Sequence, residues 1–141
     1  MKTLILTLIT LCFYPLVYGQ KIELQPSSEE DYENISVKNL YTGSDASSFQ
    51  IWVKNHVKPH LHNNHTEHVY ILDGKGIMLL GDSTFTVEKG DLIAIPPKTV
   101  HAVKTQGSIP LQAISIQAPQ FFNKDREWIE VEKWSQMIEK P

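Results

Sequence analysis

The 141-residue chain has a single cysteine and a single arginine, and each scarcity excludes a class of protein. Cys12 has no partner in the chain, so neither an internal disulfide nor a C-x-x-C motif can occur. Arg126 is one of only 13 basic residues against 16 acidic ones, which gives a formal charge of -3. Nucleic-acid binding needs dense positive charge to neutralise phosphates, so we expect no nucleic-acid partner.

Motifs of several enzyme classes are also absent. The chain has no G-x-S-x-G nucleophile motif and no H-E-x-x-H zinc motif. Gly74-Lys75-Gly76 begins like a dinucleotide-binding loop, but Leu79 stands where the third glycine belongs. We therefore expect a hairpin turn at this point rather than a phosphate-binding loop.

A long apolar run occurs only at the N-terminus. Lys2 precedes an apolar run of about 14 residues, which is shorter than the roughly 20 that a membrane helix needs. Residues 17–19 suit a cleavage site, so the pattern predicts a signal peptide over residues 1–19. A membrane anchor and a lipoprotein cleaved at Cys12 are the alternatives. We expect a secreted or periplasmic protein with no membrane span after cleavage.

Cleavage of the leader would remove the only cysteine and one lysine from the chain. The remaining 122 residues would have 12 basic and 16 acidic side chains and no cysteine. A chain of this length buries roughly two-thirds of its surface on folding, which is enough for one independent domain. Its stability must therefore come from its core, without disulfides.

The region from residue 35 to residue 116 alternates short apolar runs with turns rich in glycine, proline and aspartate. The runs are Ile35–Tyr41, Phe49–Val57, His68–Leu72, Ile77–Leu80, Phe85–Val87, Leu92–Ile95, Val100–Val103 and Leu111–Ile116. Short strands separated by such turns indicate an all-β sandwich or barrel.

The two ends of the chain differ from this barrel region. Residues 20–34 form a polar N-terminal arm, residues 35–120 the barrel, and residues 121–141 a C-terminal tail. Four apolar residues of the tail have helical spacing, which predicts a short helix packed on the barrel. They are Val131, Trp134, Met137 and Ile138.

Five of the six histidines lie between residues 56 and 68, and the sixth is His101. On a strand, His60 and His62 point to the same side, because alternate residues share a face. Glu67 opens the next run. Imidazole and carboxylate are ligands that a borderline divalent metal prefers. The pattern predicts a four-ligand metal site inside the barrel.

The same residues resemble the two sequence motifs of the cupin superfamily. The spacing from His60 to Gly74 fits the first motif, and the spacing from Gly90 to His101 fits the second. The 15 residues between Gly74 and Gly90 are typical of small bacterial members. The resemblance covers residues 35–119 loosely.

This resemblance implies a fold, a metal and an assembly. The fold is a single double-stranded β-helix, the jelly-roll cupin barrel, with a short helical or irregular tail. His60, His62, Glu67 and His101 would bind one divalent transition metal, either Fe, Mn, Zn, Ni or Cu. Four protein ligands leave two positions of an octahedral ion open. Because cupins commonly pair through a sheet edge, the resemblance also implies a homodimer.

Three positions depart from the family motifs. Lys54 and Lys98 stand where the motifs have glycine, and Thr105 stands where the second motif ends in asparagine. None of these changes removes a ligand. At position 98, in the turn before His101, glycine would permit a positive φ, whereas lysine adopts a positive φ only at a cost in free energy.

Several other residues are candidates for roles near the site. His65 and Tyr70 are candidates for proton transfer, and His65 is the reserve ligand if Glu67 faces elsewhere. His68 alternates out of phase with Glu67, so we expect it to face away, and we place His56 on the surface.

For four aromatic residues and the single arginine, we expect packing or pairing roles. Trp52 and Trp128 are expected in core or edge packing, and Phe121 or Phe122 over the barrel opening. Arg126 is expected to pair with an acidic neighbour.

Fold alone does not fix function, so three hypotheses stay open. The first is a metal-dependent enzyme, dioxygenase-like or an isomerase, that acts on a small oxygen-rich molecule. The second is a metal-dependent module that binds a small ligand without turnover. The third is a barrel that serves only as a dimer partner.

Overall fold

The computed structural model describes residues 19–28, 31–122 and 124–139. The predicted signal peptide, including Cys12, lies outside these residues except for Gly19. The described elements are ten strands and one helix. They are β1 (Ile35–Thr42), β2 (Ser47–Val53), β3 (His56–His62), β4 (Thr66–Asp73), β5 (Lys75–Leu80), β6 (Ser83–Glu88), β7 (Leu92–Ile95), β8 (His101–Gln106), β9 (Leu111–Ala118), β10 (Arg126–Trp128) and α1 (Glu132–Glu139).

The strands form two five-stranded sheets in which every pairing is antiparallel. The order in the first sheet is β1-β2-β9-β4-β7, and the order in the second is β10-β3-β8-β5-β6. Neighbouring strands are mostly distant in the chain, as in a jelly roll. The predicted all-β jelly-roll fold with a short helical tail is confirmed.

The hydrophobic core lies between the two sheets, because alternate residues of each strand face inward. On β4, Ile71 is buried, whereas Tyr70 is exposed. The buried cluster draws on both sheets and consists of Val53, Ile71, Met78, Val87, Ile93, Ile95, Leu111 and Ala113. This apolar interior encloses one end of the space in which the candidate site lies.

The helix α1 packs on the outside of the second sheet, as its spacing predicts. Trp134 is buried against Leu79 and Ala102, and Val131 and Met137 pack around them. No helix among the described residues is long and apolar enough to cross a membrane.

The N-terminal arm is tied to the outer face of the first sheet. Gln25 donates its backbone N–H to Gln50 Oε1 at 3.0 Å, and its carbonyl accepts from Gln50 Nε2 at 2.7 Å. Gln112 Nε2 donates to the same carbonyl at 2.8 Å. These bonds satisfy the polar groups of Gln50, whose side chain is fully buried.

The expected run Phe49–Val57 is two strands, with a turn at Lys54 and Asn55. The cause is Asn34, whose side-chain oxygen accepts from the backbone N–H groups of Asn55 at 3.0 Å and His56 at 3.1 Å. A side chain that satisfies two backbone donors offers the chain an alternative to the ladder. The apolar pattern alone carries no sign of this break.

Candidate metal centre

The four predicted ligands come together between the two sheets. His60 and His62 lie on β3, and His101 begins the neighbouring β8 directly opposite His60. Glu67 reaches the same point from β4 in the opposing sheet. One potential ligand atom from each residue lies within 4.8 Å of all the others, and all four side chains are buried.

The imidazole nitrogens are oriented for metal binding by the backbone. His60 Nδ1 lies 2.9 Å from the carbonyl oxygen of Lys58, and His101 Nδ1 lies 2.9 Å from that of Thr99. A carbonyl can only accept, so Nδ1 carries the proton in both rings and Nε2 has a free lone pair.

Two of the free nitrogens have no hydrogen-bond partner among the described residues. His62 Nε2 and His101 Nε2 are buried, and they face Glu67 Oε2 at 3.5 and 3.1 Å without hydrogen-bond geometry. Buried polar atoms without partners are costly, and a cation between them and the carboxylate would remove that cost. The donor set therefore fits a divalent metal.

The other oxygen of Glu67 is held by the protein. Ser115 Oγ donates to Oε1 at 2.5 Å, and Gln117 Nε2 lies 3.4 Å from the same atom. Both come from inward positions of β9, beside β4. This arrangement leaves Oε2 directed at the histidines.

The protonation states suit ligation. Burial lowers the pKa of His60 to about 3, with a further contribution from nearby His101. Burial alone would raise the pKa of Glu67, but contacts with His101, His62 and Ser115 hold it well below its usual value. A neutral imidazole and an ionised carboxylate are the forms that bind a metal.

Behind the ligands lies a second group of polar residues. Asp125 Oδ1 lies 3.4 Å from His62 Nδ1, and Asp125 Oδ2 pairs closely with His65 Nδ1. His65 Nε2 lies 2.8 Å from the carbonyl oxygen of Gln120. These contacts lower the pKa of Asp125 against the opposing effect of its partial burial, with the His65 contact the strongest.

Neither of the two proton-transfer candidates belongs to the cluster of four candidate ligands. His65 is buried, but Asp125 and Gln120 occupy both of its ring nitrogens. Tyr70 is 41% exposed and lies on the face of β4 opposite Glu67. Neither side chain lines the cavity at the centre. Because Glu67 faces the histidines, His65 is not needed as a reserve ligand.

The structure also shows where the other two histidines lie and how two of the residues that differ from the family motifs are held. His68 is exposed and His56 is half-buried, and neither joins the cluster. Lys98 has a φ of 62°, so lysine occupies the left-handed conformation for which the motif has glycine. Thr105 donates to the carbonyl oxygen of Val53 at 2.8 Å.

A cavity of about 140 Å³ opens beside the cluster and is mainly apolar. Its polar lining consists of His60, Glu67, His101, Gln117 and Arg126. The apolar lining consists of Ile35, Val37, Ile51, Val53, Val57, Val69, Ile71, Met78, Val87, Ala102, Val103, Leu111, Ala113 and Trp128. Among the cavity-lining residues, no titratable side chain beyond the metal ligands and Arg126 is present.

The tail supplies part of the cavity wall through Arg126 and Trp128, and for Arg126 the sequence predicts no such place. Strand β10 pairs with β3, with Arg126 opposite His62 and Trp128 opposite His60. Of the two expected places for Trp128, core or sheet edge, the structure has the edge: Trp128 lies on the edge strand β10 and is 58% exposed. Its ring centroid lies 5.3 Å from that of His60. No described acidic side chain forms an ion pair with Arg126, contrary to expectation.

One of Phe121 and Phe122 is expected over the barrel opening, but neither lines the cavity. Phe121 is buried, and its ring centroid lies 5.4 Å from that of His62. Phe122 is 64% exposed. Phe121 therefore covers the outer side of the ligand cluster without lining the cavity.

Comparisons with known proteins agree with this architecture. The Cupin domain family model matches residues 49–117. An uncharacterized protein of Methanocaldococcus jannaschii is 38% identical over 94 residues, which are 65% of this chain and 75% of that protein. The mannose-1-phosphate guanylyltransferase RfbM of Salmonella typhimurium is 32% identical over 65 residues, 46% of this chain but 14% of that enzyme.

Solved structures show the same fold at low sequence identity. The nucleoside dehydratase Pac13 of Streptomyces has a TM-score of 0.65 at 16% identity, over 80% of this chain and 92% of that one. KdgF from Halomonas has a TM-score of 0.61 at 21% identity, over 67% and 89% of the two chains. At such identities the likeness extends to the fold alone.

Proposed function

The chain belongs to the cupin family, and from that premise we propose that it binds one divalent metal and is a metal-dependent enzyme for a small oxygen-bearing molecule. The observation that carries this proposal is the convergence of three imidazoles and the Glu67 carboxylate in a buried site, with His62 Nε2 and His101 Nε2 lacking hydrogen-bond partners among the described residues. A metal held there would polarise an oxygen atom of the bound molecule.

In such a reaction, the protein would hold the ion and shield the bound molecule from water. His60, His62, Glu67 and His101 would hold the ion, and Ser115 fixes the orientation of the carboxylate. The apolar walls would exclude water from the bound molecule, which strengthens every charge interaction inside the cavity.

For the reaction itself, we favour an oxygen-dependent cleavage or an isomerisation. Among the described residues, the cavity offers no separate ionisable base beyond the candidate ligands and Arg126, so a reaction of this class would depend on the metal rather than on a protein base. Such a site suits reactions in which the metal performs the electronic work. The same observation favours a second candidate, a module that captures a small ligand without turnover.

Metal content tests the first part of the proposal. Untagged protein should contain about one transition-metal ion per chain by mass spectrometry of the metals. His101→Ala and Glu67→Gln should each lose most of this metal, whereas His68→Ala should keep it, because His68 is exposed and outside the cluster. Equal metal content in all four proteins would contradict the proposed ligand set.

Turnover separates the enzyme from the capture module. Metal-loaded protein would be screened with phenolic compounds, 2-oxo acids and sugar derivatives for oxygen uptake or absorbance change. Because a neighbour of the same fold is a nucleoside dehydratase, the screen would include loss of water. Turnover that disappears in Glu67→Gln supports an enzyme. Saturable binding without turnover under any of the five metals supports the module.

Export and pairing are further parts of the proposal. The pattern of residues 1–19 supports a cleaved leader, so the mature protein should begin at Gln20 by N-terminal sequencing. The sheet edges β1 and β7 present Val37, 56% exposed, and Leu92, 64% exposed. Exposed edges favour strand pairing, so light scattering should give twice the chain mass.

A further inference from the structure

The cavity is divided along its length into a polar layer and an apolar chamber. His60 pairs in register with His101, and Glu67 pairs with Gln117, so four strands bring their polar residues to one level. Three residues before His60, Val57 pairs with Val103 in the same sheet. The change from polar to apolar therefore occurs at the same level on adjacent strands.

The opposing sheet repeats this change. Beyond Glu67 on β4 come Val69 and Ile71, and Ile71 pairs with Ala113 on β9. Ile71 is four residues from Glu67, or about 13 Å along a strand at the usual rise per residue. The apolar chamber is thus long enough for a small hydrocarbon group. A group seated there would meet methyl and methylene surface on both sides.

The size of the cavity limits what the chamber can hold. Its volume is about 140 Å³, and an apolar protein cavity of roughly 150 Å³ binds benzene. Hydroxyl groups in the chamber would find no hydrogen-bond partners on its apolar walls, so their transfer from water into the chamber would cost free energy. The chamber therefore selects a compact apolar group over a polyhydroxylated one.

A single permanent positive charge lies at the mouth of the same cavity. The guanidinium carbon of Arg126 lies 5.5 Å from the ring centroids of both Phe121 and Trp128, so two aromatic faces position it. No described carboxylate pairs with Arg126. A guanidinium has five donors in a planar fork that matches a carboxylate. An incoming acid would supply the missing partner.

We propose that the natural ligand is a small carboxylic acid with an apolar body of about the size of a benzene ring. The carboxylate would pair with Arg126 at the mouth, and the apolar body would fill the chamber beyond His60 and Glu67. This inference rests on the proposed function, because it names the ligand class of the same site.

Calorimetric binding with three probes tests both halves of the inference. Benzoate has the charge and the ring, benzyl alcohol has the ring without the charge, and glucuronate has the charge with a hydroxylated body. Benzoate should bind metal-loaded protein at least about tenfold more tightly than either of the others, as expected for one charged hydrogen-bonded pair or one buried ring. Glucuronate binding as tight as benzoate binding would overturn the apolar half.

Two variants assign the effects to residues. Arg126→Gln should weaken benzoate about tenfold or more and leave benzyl alcohol unchanged, whereas Lys124→Gln, two residues away and outside this cavity, should change neither. Ala113→Val should weaken both benzoate and benzyl alcohol while the metal content stays at one ion. If Ala113→Val unfolds at a clearly lower temperature than the wild type, Val69→Ile is used in its place. Unchanged benzoate binding in Arg126→Gln would overturn the charged half.

The same titrations on metal-free protein separate this inference from the proposed function. Arg126 and the chamber do not depend on the ion, so weaker binding that still requires Arg126 is expected without metal. A wild-type protein that takes up no metal but shows this pattern would refute the proposed function alone. A metal-loaded protein that binds none of the probes would refute the ligand class alone.

Discussion

Asp125 Oδ1 lies 3.4 Å from His62 Nδ1, so the C-terminal tail contacts a metal-centre imidazole on the side away from Glu67. The other oxygen of Asp125 pairs with His65 and accepts from the backbone N–H of Asn64 at 3.3 Å. One carboxylate thereby connects the loop between β3 and β4 to a ligand of the candidate site.

Replacement of this carboxylate should weaken metal binding. A carboxylate behind a ligating histidine fixes the ring and raises its basicity, and its loss typically costs about 10–100-fold in affinity. Asp125→Asn should therefore show such a loss in a zinc titration against a competing chelator. Asp82→Asn, an exposed turn residue, is the control. Equal affinities in the two variants would assign Asp125 a purely structural role.

Lys98→Gly should stabilise the protein. Lys98 has a φ of 62°, a conformation that costs lysine roughly 1–2 kcal/mol and that glycine adopts without this cost. Part of the gain in stability is lost again, because glycine gives the unfolded chain more conformational freedom. We expect the free energy of unfolding in urea to rise by about 0.5–1 kcal/mol. Lys89→Gly, at an exposed turn residue without positive φ, should lower it by a similar amount. A loss of stability in Lys98→Gly would contradict the strain.

Gly74→Ala should destabilise the barrel more than Gly81→Ala. Both glycines have positive φ, 79° and 56°, so the backbone penalty is similar. A Cβ at Gly74 would lie 2.8 Å from the carbonyl oxygen of Pro110 and 3.0 Å from Leu111 Cα, whereas one at Gly81 would meet nothing within 4 Å. Overpacking of this kind adds about 1–3 kcal/mol. Equal urea midpoints for the two variants would mean that the backbone at Pro110 shifts freely.

The metal-free protein should lose stability in acid. The pKa of His60 is about 3 in the folded chain against 6.5 in the unfolded one, so below pH 6.5 only the unfolded chain takes up this proton. Unfolding free energy should fall between pH 6.5 and 3 by up to about 1.4 kcal/mol per pH unit from this group. The lowered pKa of Glu67 adds a loss that begins near its ordinary value of 4.5.

A histidine substitution isolates the first contribution. His60→Gln cannot titrate, so its unfolding free energy should depend less steeply on pH between 6.5 and 4.5, where Glu67 contributes little. His68→Gln, on the exposed side of β4, should keep the wild-type slope. Parallel curves for wild type and His60→Gln would show that His60 is not the source of the acid sensitivity.

The barrel and the four candidate ligands could be predicted from the sequence because both leave local patterns in the chain. Short apolar runs between turn residues marked the strands, and the spacing of His60 and His62 placed them on one face. The turn at Asn55 could not be foreseen, since it depends on a hydrogen bond from Asn34. Contacts between distant residues leave no mark in local periodicity.

The polar support of the site lay partly within reach of sequence analysis. On β9, Leu111 and Ala113 are followed at the same inward phase by Ser115 and Gln117, so polar residues enter a core-facing row. That change of character was a usable signal for a polar site. The place of Arg126 beside the cavity could not be predicted, because β10 is three exposed residues long and its position depends on pairing with β3.

Under the proposed function, the pairing of β10 with β3 places ligand choice and metal binding on different parts of the chain. The four candidate ligands lie on strands inside the barrel, whereas Arg126 and Trp128 belong to a short strand of the tail that pairs with β3 at three positions. Substitutions at Arg126 and Trp128 would change what enters the cavity and would leave the four candidate ligands and Asp125 in place. A β10 segment transplanted from a related barrel, with the carboxylate at position 125 kept, should therefore transfer the ligand preference of that barrel.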